Sequence, residues 1–127
     1  MSSHKHYACS VTVETAFVPD QSDVSQNRYV FSYTVTVTNT GSVAAQLISR
    51  HWIITDADDH TQEVRGLGVV GEQPLLQPGE SFRYTSGTVL ATPVGTMHGS
   101  YTFVDDGGER FEVPIPLFVL AAPRTLH

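Results

Sequence analysis

Residues 64–101 read VRGLGVVGEQPLLQPGESFRYTSGTVLATPVGTMHGSY, and they hold seven of the ten glycines and three of the seven prolines. Glycine is costly in regular structure and useful where the backbone takes positive φ or comes close to a neighbour. This stretch is therefore expected to form turns and short strands with exposed main chain. The segments around it read as longer strands that hold it in place.

Immediately upstream, Thr61 to Val64 starts a short returning strand, and Asp56-Ala57-Asp58-Asp59 makes the turn before it. A strand from about Ala45 to Thr55 precedes that turn. Ile48, Trp52 and Ile54 are expected on one side, with Leu47 and Ile53 on the other. Apolar residues on both sides suggest a central strand. The clearest strand alternates Tyr29, Phe31, Tyr33, Val35 and Val37 with Ser32, Thr34, Thr36 and Thr38. A period of two with β-branched residues marks a half-buried strand. Asn39-Thr40-Gly41-Ser42 turns the chain after it. Earlier still, His6 to Val18 alternates with Cys9, Val11 and Val13 on one face, and Pro19 ends the run.

Inside the glycine-rich stretch, Pro78-Gly79-Glu80 leads into Phe82 and Tyr84, and Gly99 opens a strand carrying Tyr101 and Phe103. Asp105-Asp106-Gly107-Gly108 is a strong hairpin signal. The returning strand places Phe111, Val113, Ile115, Leu117 and Val119 on one face. Pro114 and Pro116 cannot donate ladder hydrogen bonds, so this strand belongs at an edge or is interrupted. No period of 3.6 persists for three turns. Seven to eight strands with frequent turns predict an all-β fold, a two-sheet antiparallel sandwich of the fibronectin type III or immunoglobulin-like kind. A closed barrel is the alternative.

At 127 residues the chain is expected to be a single domain, 1–127, with residues 1–6 as a flexible tail. Net charge is −6, and the one lysine and six arginines are scattered. Nucleic-acid binders carry a basic stripe, so no nucleic-acid partner is expected. The lone Cys9 cannot bridge internally and fits a reducing compartment. No signal peptide or long apolar span is visible, so no membrane insertion and a cytoplasmic location are expected.

The candidate chemistry is sparse. Gly66-Leu67-Gly68-Val69-Val70-Gly71 matches G-x-G-x-x-G, but a dinucleotide site needs that motif between a strand and a helix. Gln73-Pro74 and Gln77-Pro78 follow here and leave no helix. A weaker reading is an anion nest of successive backbone amides beside Arg65. The plainer reading is that these glycines serve tight packing. No histidine pair has zinc-site spacing. His4-Lys5-His6 reads as a solvated tail, and Asp56, Asp58, Asp59 and His60 lack the glycine and glutamate of a calcium loop. No metal and no cofactor are expected. Cys9 reads as buried and inert, and no nucleophile, base and oxyanion donor come together. No enzyme is expected.

Three segments carry a resemblance: Val64-Arg65-Gly66-x-Gly68-Val69-Val70-Gly71-x-Gln73-Pro74, Leu76-x-Pro78-Gly79-Glu80-x-Phe82-x-Tyr84-x-Ser86-Gly87, and Thr92-Pro93-x-Gly95-x-Met97-x-Gly99-x-Tyr101. With Ser49-Arg50-His51-Trp52, they resemble the ApaG family over nearly the whole chain. The resemblance implies a fibronectin type III-like sandwich in a bacterial protein. It also implies a genetic link to cobalt resistance and magnesium efflux, without an established activity, and eukaryotic relatives that look like interaction modules. Arg65, Gly66, Gly68 and Gly71 carry over as the family's proposed phosphate-binding loop.

The expected function is a non-enzymatic binding module for a partner protein, with a homodimer as a further option. Val69, Val70, Leu75 and Leu76 would suit strand addition or a shallow groove. The alternative is a small-ligand (pyrophosphate or nucleotide) or divalent-cation binder acting through the glycine-rich loop.

Overall fold

The computed structural model describes residues 5–123 and contains eight strands in two antiparallel sheets, with two single-turn 3₁₀ segments and no α-helix among these residues. The strands are β1 (Cys9–Phe17), β2 (Tyr29–Asn39), β3 (Ala45–Asp56), β4 (Thr61–Leu67), β5 (Leu75–Leu76), β6 (Ser81–Leu90), β7 (Val94–Asp105) and β8 (Arg110–Ala121). One sheet runs β1-β2-β6. The other runs β4-β3-β7-β8, with β5 added to the same edge of β3 as β4. The sandwich read from the alternation is present.

The core lies between the sheets, where Phe31, Val35 and Val37 of β2 face Leu47 and Trp52 of β3 and Met97, Tyr101 and Phe103 of β7. Trp52 is the hub of an aromatic cluster, with Tyr33, Tyr101 and Phe118 all edge-on to it at 5.3–6.3 Å. Edge-to-face pairs add to area burial by roughly 0.5–1.5 kcal/mol each. Gly99 stands opposite Trp52 in the β3–β7 ladder. A side chain there would run into the His51 carbonyl.

Two bulges correct the expected faces. In β3, Leu47 pairs with Phe103 and Ser49 with Thr102, so Ile48 is an extra residue. Leu47 therefore joins Trp52 and Ile54 in the core, and Ile48 moves to the outside. In β8, Ile115 pairs with Gly99 and Phe118 with Met97, again one residue too many. Leu117 and Val119 end up exposed, while Phe118 and Leu120 turn inward. A period-two strand reverses its faces wherever one residue is inserted. The Pro114–Pro116 stretch flanks this bulge, and β8 lies at the sheet edge, as two missing donors require.

The glycine-rich stretch is also more regular than expected. Gly66 lies in β4, Gly87 in the ten-residue β6, and Gly95 and Gly99 in the twelve-residue β7. The strand carrying Tyr101 and Phe103 begins at Val94, well before Gly99. Gly95 and Gly99 serve close packing: a Cβ on Gly95 would sit 2.6 Å from the Thr55 carbonyl.

The two long sides of the sandwich differ. On one, β1 approaches β8, and the segment before β1 clasps the β7–β8 hairpin. Asp105, buried at the hairpin, accepts hydrogen bonds from Tyr7 Oη (2.8 Å), Lys5 Nζ (3.3 Å) and the amides of Gly107 (2.9 Å) and Glu109 (2.8 Å). Tyr7 also packs on Phe111 at 4.9 Å. Of the segment expected as a tail, residues 1–4 lie outside the described residues. Lys5 is held by Asp105, and the His6 amide and carbonyl bind Ser42. The other long side, between β4 and β6, is open. No helix among the described residues is long and apolar enough to cross a membrane.

Candidate functional site

The expected loop residues lie at the β4 edge, in three different settings. Gly66 pairs with Arg50 inside the β3–β4 ladder. A methyl group there would lie 2.8 Å from the Arg50 guanidinium nitrogens, so Gly66 makes room for that side chain. Gly68 (φ +64°) enters a tight hairpin in which Val69 and Glu72 exchange amide–carbonyl bonds of 2.8 and 2.9 Å. The turn between them is Val70 (φ +43°) and Gly71 (φ +81°). Positive φ at both central residues is the signature of a type I′ turn. Glycine suits it, whereas a β-branched residue in the left-handed region is strained. Arg65 points outward, is well exposed and pairs with Glu63 at 3.5 Å.

The hydrogen bonding of this loop faces a cation. The amides of Gly68, Val69 and Glu72 are engaged within the fold. The carbonyls of Leu67 and Gly68 accept from Arg50 Nη1 at 3.0 and 2.9 Å. Arg50, rather than Arg65, is the arginine that holds the loop.

Of the four apolar residues expected at the surface, Val69 and Leu76 are core residues, because the hairpin folds them under the sheet edge. Val70 and Leu75 are exposed at 55% and 58%, and Leu67, which the sequence reading left out, at 75%. Leu67 stands opposite Ser49 and Leu75 opposite Gln46, so both side chains lie on the outer face of the five-stranded sheet, along its free edge. Leu67 also lines a groove of about 370 Å³, together with Ser49, His51, Arg65, Ser100 and Glu112. One wall of that groove is charged. His51 Nε2 and Glu63 Oε1 lie 2.6 Å apart, and this contact, with Arg65 beyond it, holds the Glu63 carboxyl below its ordinary range.

A second concavity opens between the sheets on the β4–β6 side. Two adjoining recesses of about 260 and 240 Å³ share Tyr33, Arg50, Trp52 and Ser86 as walls. Arg50 is half-buried there and joins none of the ion pairs among the described residues. Trp52, only 2% exposed, has no hydrogen-bond partner for Nε1–H among the described residues. Deeper in, the hydroxyls of Tyr84 and Tyr101 bond to each other across the sandwich. Burial pushes the Tyr84 phenol up to about 12 and Tyr101 higher still, so both stay neutral. The sequence reading missed Arg50 and Trp52 as a site. The available signal was a charged residue two positions before a core tryptophan, a spacing that puts both on one face.

The remaining candidates resolve as follows. Asp56, Asp58 and His60 come together in the β3–β4 turn, with potential ligand atoms within 4.8 Å of one another. Asp56 is already occupied as a turn cap, accepting the amides of Asp58 (2.8 Å) and His60 (3.0 Å) and meeting His60 Nδ1 at 3.3 Å. His4 and His127 lie outside the described residues. Cys9 is half-buried, and desolvation pushes its thiol up to about 11, which leaves it protonated and unreactive at neutral pH.

The chain is similar to known proteins over its whole length. A family model described as the ApaG domain matches residues 19–105. Protein ApaG of Methylobacillus flagellatus is 68% identical, and that of Thiobacillus denitrificans 62%, over all 127 residues and the full length of each relative. A Bordetella pertussis crystal structure described under the name ApaA superposes with a TM-score of 0.91 at 63% identity, covering 95% of this chain and 98% of that one. A second solved structure, a structural-genomics target, gives a TM-score of 0.87 at 50% identity over 94% of this chain and 90% of its own. On a family match across most of its length and on identities far above what chance allows, this chain belongs to the ApaG family.

Proposed function

We propose that this chain is a non-enzymatic binding module that recognises a partner protein through the free β4 edge and the hairpin after it. The observation that carries this reading is the exposure of Leu67, Val70 and Leu75 along the free β4 edge and the hairpin after it, with Leu67 lining a shallow groove. A free strand edge offers backbone hydrogen bonds to an extended partner segment, and neighbouring apolar side chains supply selectivity. The half-buried Cys9, whose thiol desolvation pushes up to about 11, supports the non-enzymatic part of the reading. A small-ligand or cation role for the glycine loop has less support, because three of its amides are engaged internally. The genetic link to cobalt and magnesium implied by the family is compatible with an indirect route through such a partner.

Photo-crosslinking in cells tests the proposal. A crosslinker at Leu67 is expected to give a discrete adduct that is absent from one at exposed Thr12 and lost when Leu75 is replaced by aspartate. The adduct mass separates a different protein from a second copy of the chain. The same adduct pattern from both positions would remove the support for this edge.

A further inference from the structure

The inter-sheet cleft on the open side has a donor chemistry that the partner-binding reading does not use, and the inference from it stands independently of that reading. Arg50 commits Nη1 to two loop carbonyls. Its remaining guanidinium donors meet no acceptor among the described residues and no carboxylate neutralises it. Moving a guanidinium partly out of water is unfavourable unless a counter-charge accompanies it. Trp52 Nε1–H, a second unpaired donor, belongs to the same walls, and an unpaired buried donor is costly. Around these donors the lining is mixed: Tyr33, Ile54 and Val69 lie beside the polar side chains of Gln62, Ser86 and Thr88. Joined, the recesses reach the lower part of the range of roughly 300–1,000 Å³ typical of small-ligand sites.

We propose that this cleft binds a monocarboxylate carried on an apolar or aromatic body, with the carboxylate on the donors Arg50 has left and the body against Trp52 and Tyr33. Charge decides between the anions. Arg50 is the only cationic side chain lining the two recesses, and the chain as a whole carries −6. One planar guanidinium matches one carboxylate, whereas a phosphate dianion would leave a charge uncompensated. The motif residue Gly66 acquires a role in this arrangement, since only a residue without Cβ lets the guanidinium lie where it does. The carboxylate has two conceivable sources, a free small acid or the C-terminus of a peptide.

Trp52 is the chain's single tryptophan, so one indole N–H resonance reports on the cleft directly. The full chain is titrated with phenylacetate and, separately, with an N-acetylated dipeptide ending in phenylalanine with a free carboxylate. Phenylacetamide, the amidated dipeptide and inorganic phosphate serve as controls. The expected result is a saturable shift of the Trp52 indole resonance with at least one carboxylate and none with the amides or phosphate. Which of the two carboxylates binds identifies the source. Arg50→Gln is expected to weaken binding about tenfold or more, the loss of a charge-assisted hydrogen bond. Ser86→Leu fills the cleft without altering Arg50 and is expected to abolish binding, with melting curves verifying that each variant is folded. Arg65→Gln, on the outer face, is expected to change nothing. No shift with either carboxylate, an equal shift with the amides or with phosphate, or binding that survives Ser86→Leu would overturn the proposal.

Discussion

The closed and open sides of this sandwich are made from the same two sheets and satisfy their polar groups in opposite ways. On the closed side, β1 meets β8, Tyr7 and Phe103 flank Phe111, and the buried Asp105 carboxylate has four donors around it. On the open side, β4 and β6 leave a cleft in which a half-buried arginine lacks a carboxylate and an indole N–H lacks an acceptor. Buried polar groups in folded proteins are nearly always paired. A side where that rule is met is built for stability, and a side where it is suspended is where a ligand has something to add.

Mutations on the two sides should therefore differ in kind. The largest loss is expected from Phe103→Ala on the closed side. Phe103 is fully buried and stacks on Phe111 at 5.5 Å. Truncating a core phenylalanine costs about 3–5 kcal/mol, roughly 10–20 °C in melting temperature for a domain of this size. A small drop in a calorimetric scan would mean that the closed side is less well packed than its geometry states.

The clasp itself has a pH signature. Asp105 is held down to about 2, chiefly by the Tyr7 hydroxyl and also by the Glu109 amide, from an ordinary value of 3.8. A depressed carboxylate stabilises the fold fully above its unfolded value, and that contribution fades as pH falls from about 4 toward 2. Asp105→Asn should be less stable than the parent at pH 6, and the gap should narrow on acidification through this window. A gap that is constant with pH would show that the clasp is not electrostatic.

At the hairpin bounding the open side, two substitutions should act with opposite sign. Gly68→Ala puts a methyl group against the Glu72 carbonyl at φ +64° and is expected to cost about 2 kcal/mol, read from denaturant unfolding. Val70→Asn places a residue tolerant of the left-handed region at φ +43°, ahead of Gly71, and is expected to stabilise by about 1 kcal/mol. Equal losses from both would mean that the turn conformation is wrong. The smallest effect is expected from Ser86→Val in the open cleft, within about 0.5 kcal/mol of the parent, because added methyl groups meet space rather than packed neighbours. A loss comparable to that of Phe103→Ala would erase the distinction between the two sides.

The architecture was legible because a half-buried strand writes its burial into every second residue, and β2 does so without interruption from Phe31 to Asn39. The turns were legible for a related reason: Asp105 to Gly108 and Asp56 to His60 close on their own backbone through local bonds. The edge position of β8 followed from two prolines that cannot donate.

What only the tertiary structure decided is where that period breaks and which residues meet across the molecule. The extra residues at Ile48 and between Ile115 and Phe118 exchange inside for outside; the prolines beside the second hint at an interruption, but neither register shift is fixed locally, because a bulge answers to the partner strand. Val69 and Leu76 looked like surface because they sit among turn residues, yet the hairpin folds both into the core. By itself the sequence determined two sheets, their turns, and the glycines that turning and close packing require. Arg50 and Trp52 acquire their meaning only when β6 is laid across from β3, since a cleft between two sheets exists only once the sheets are packed.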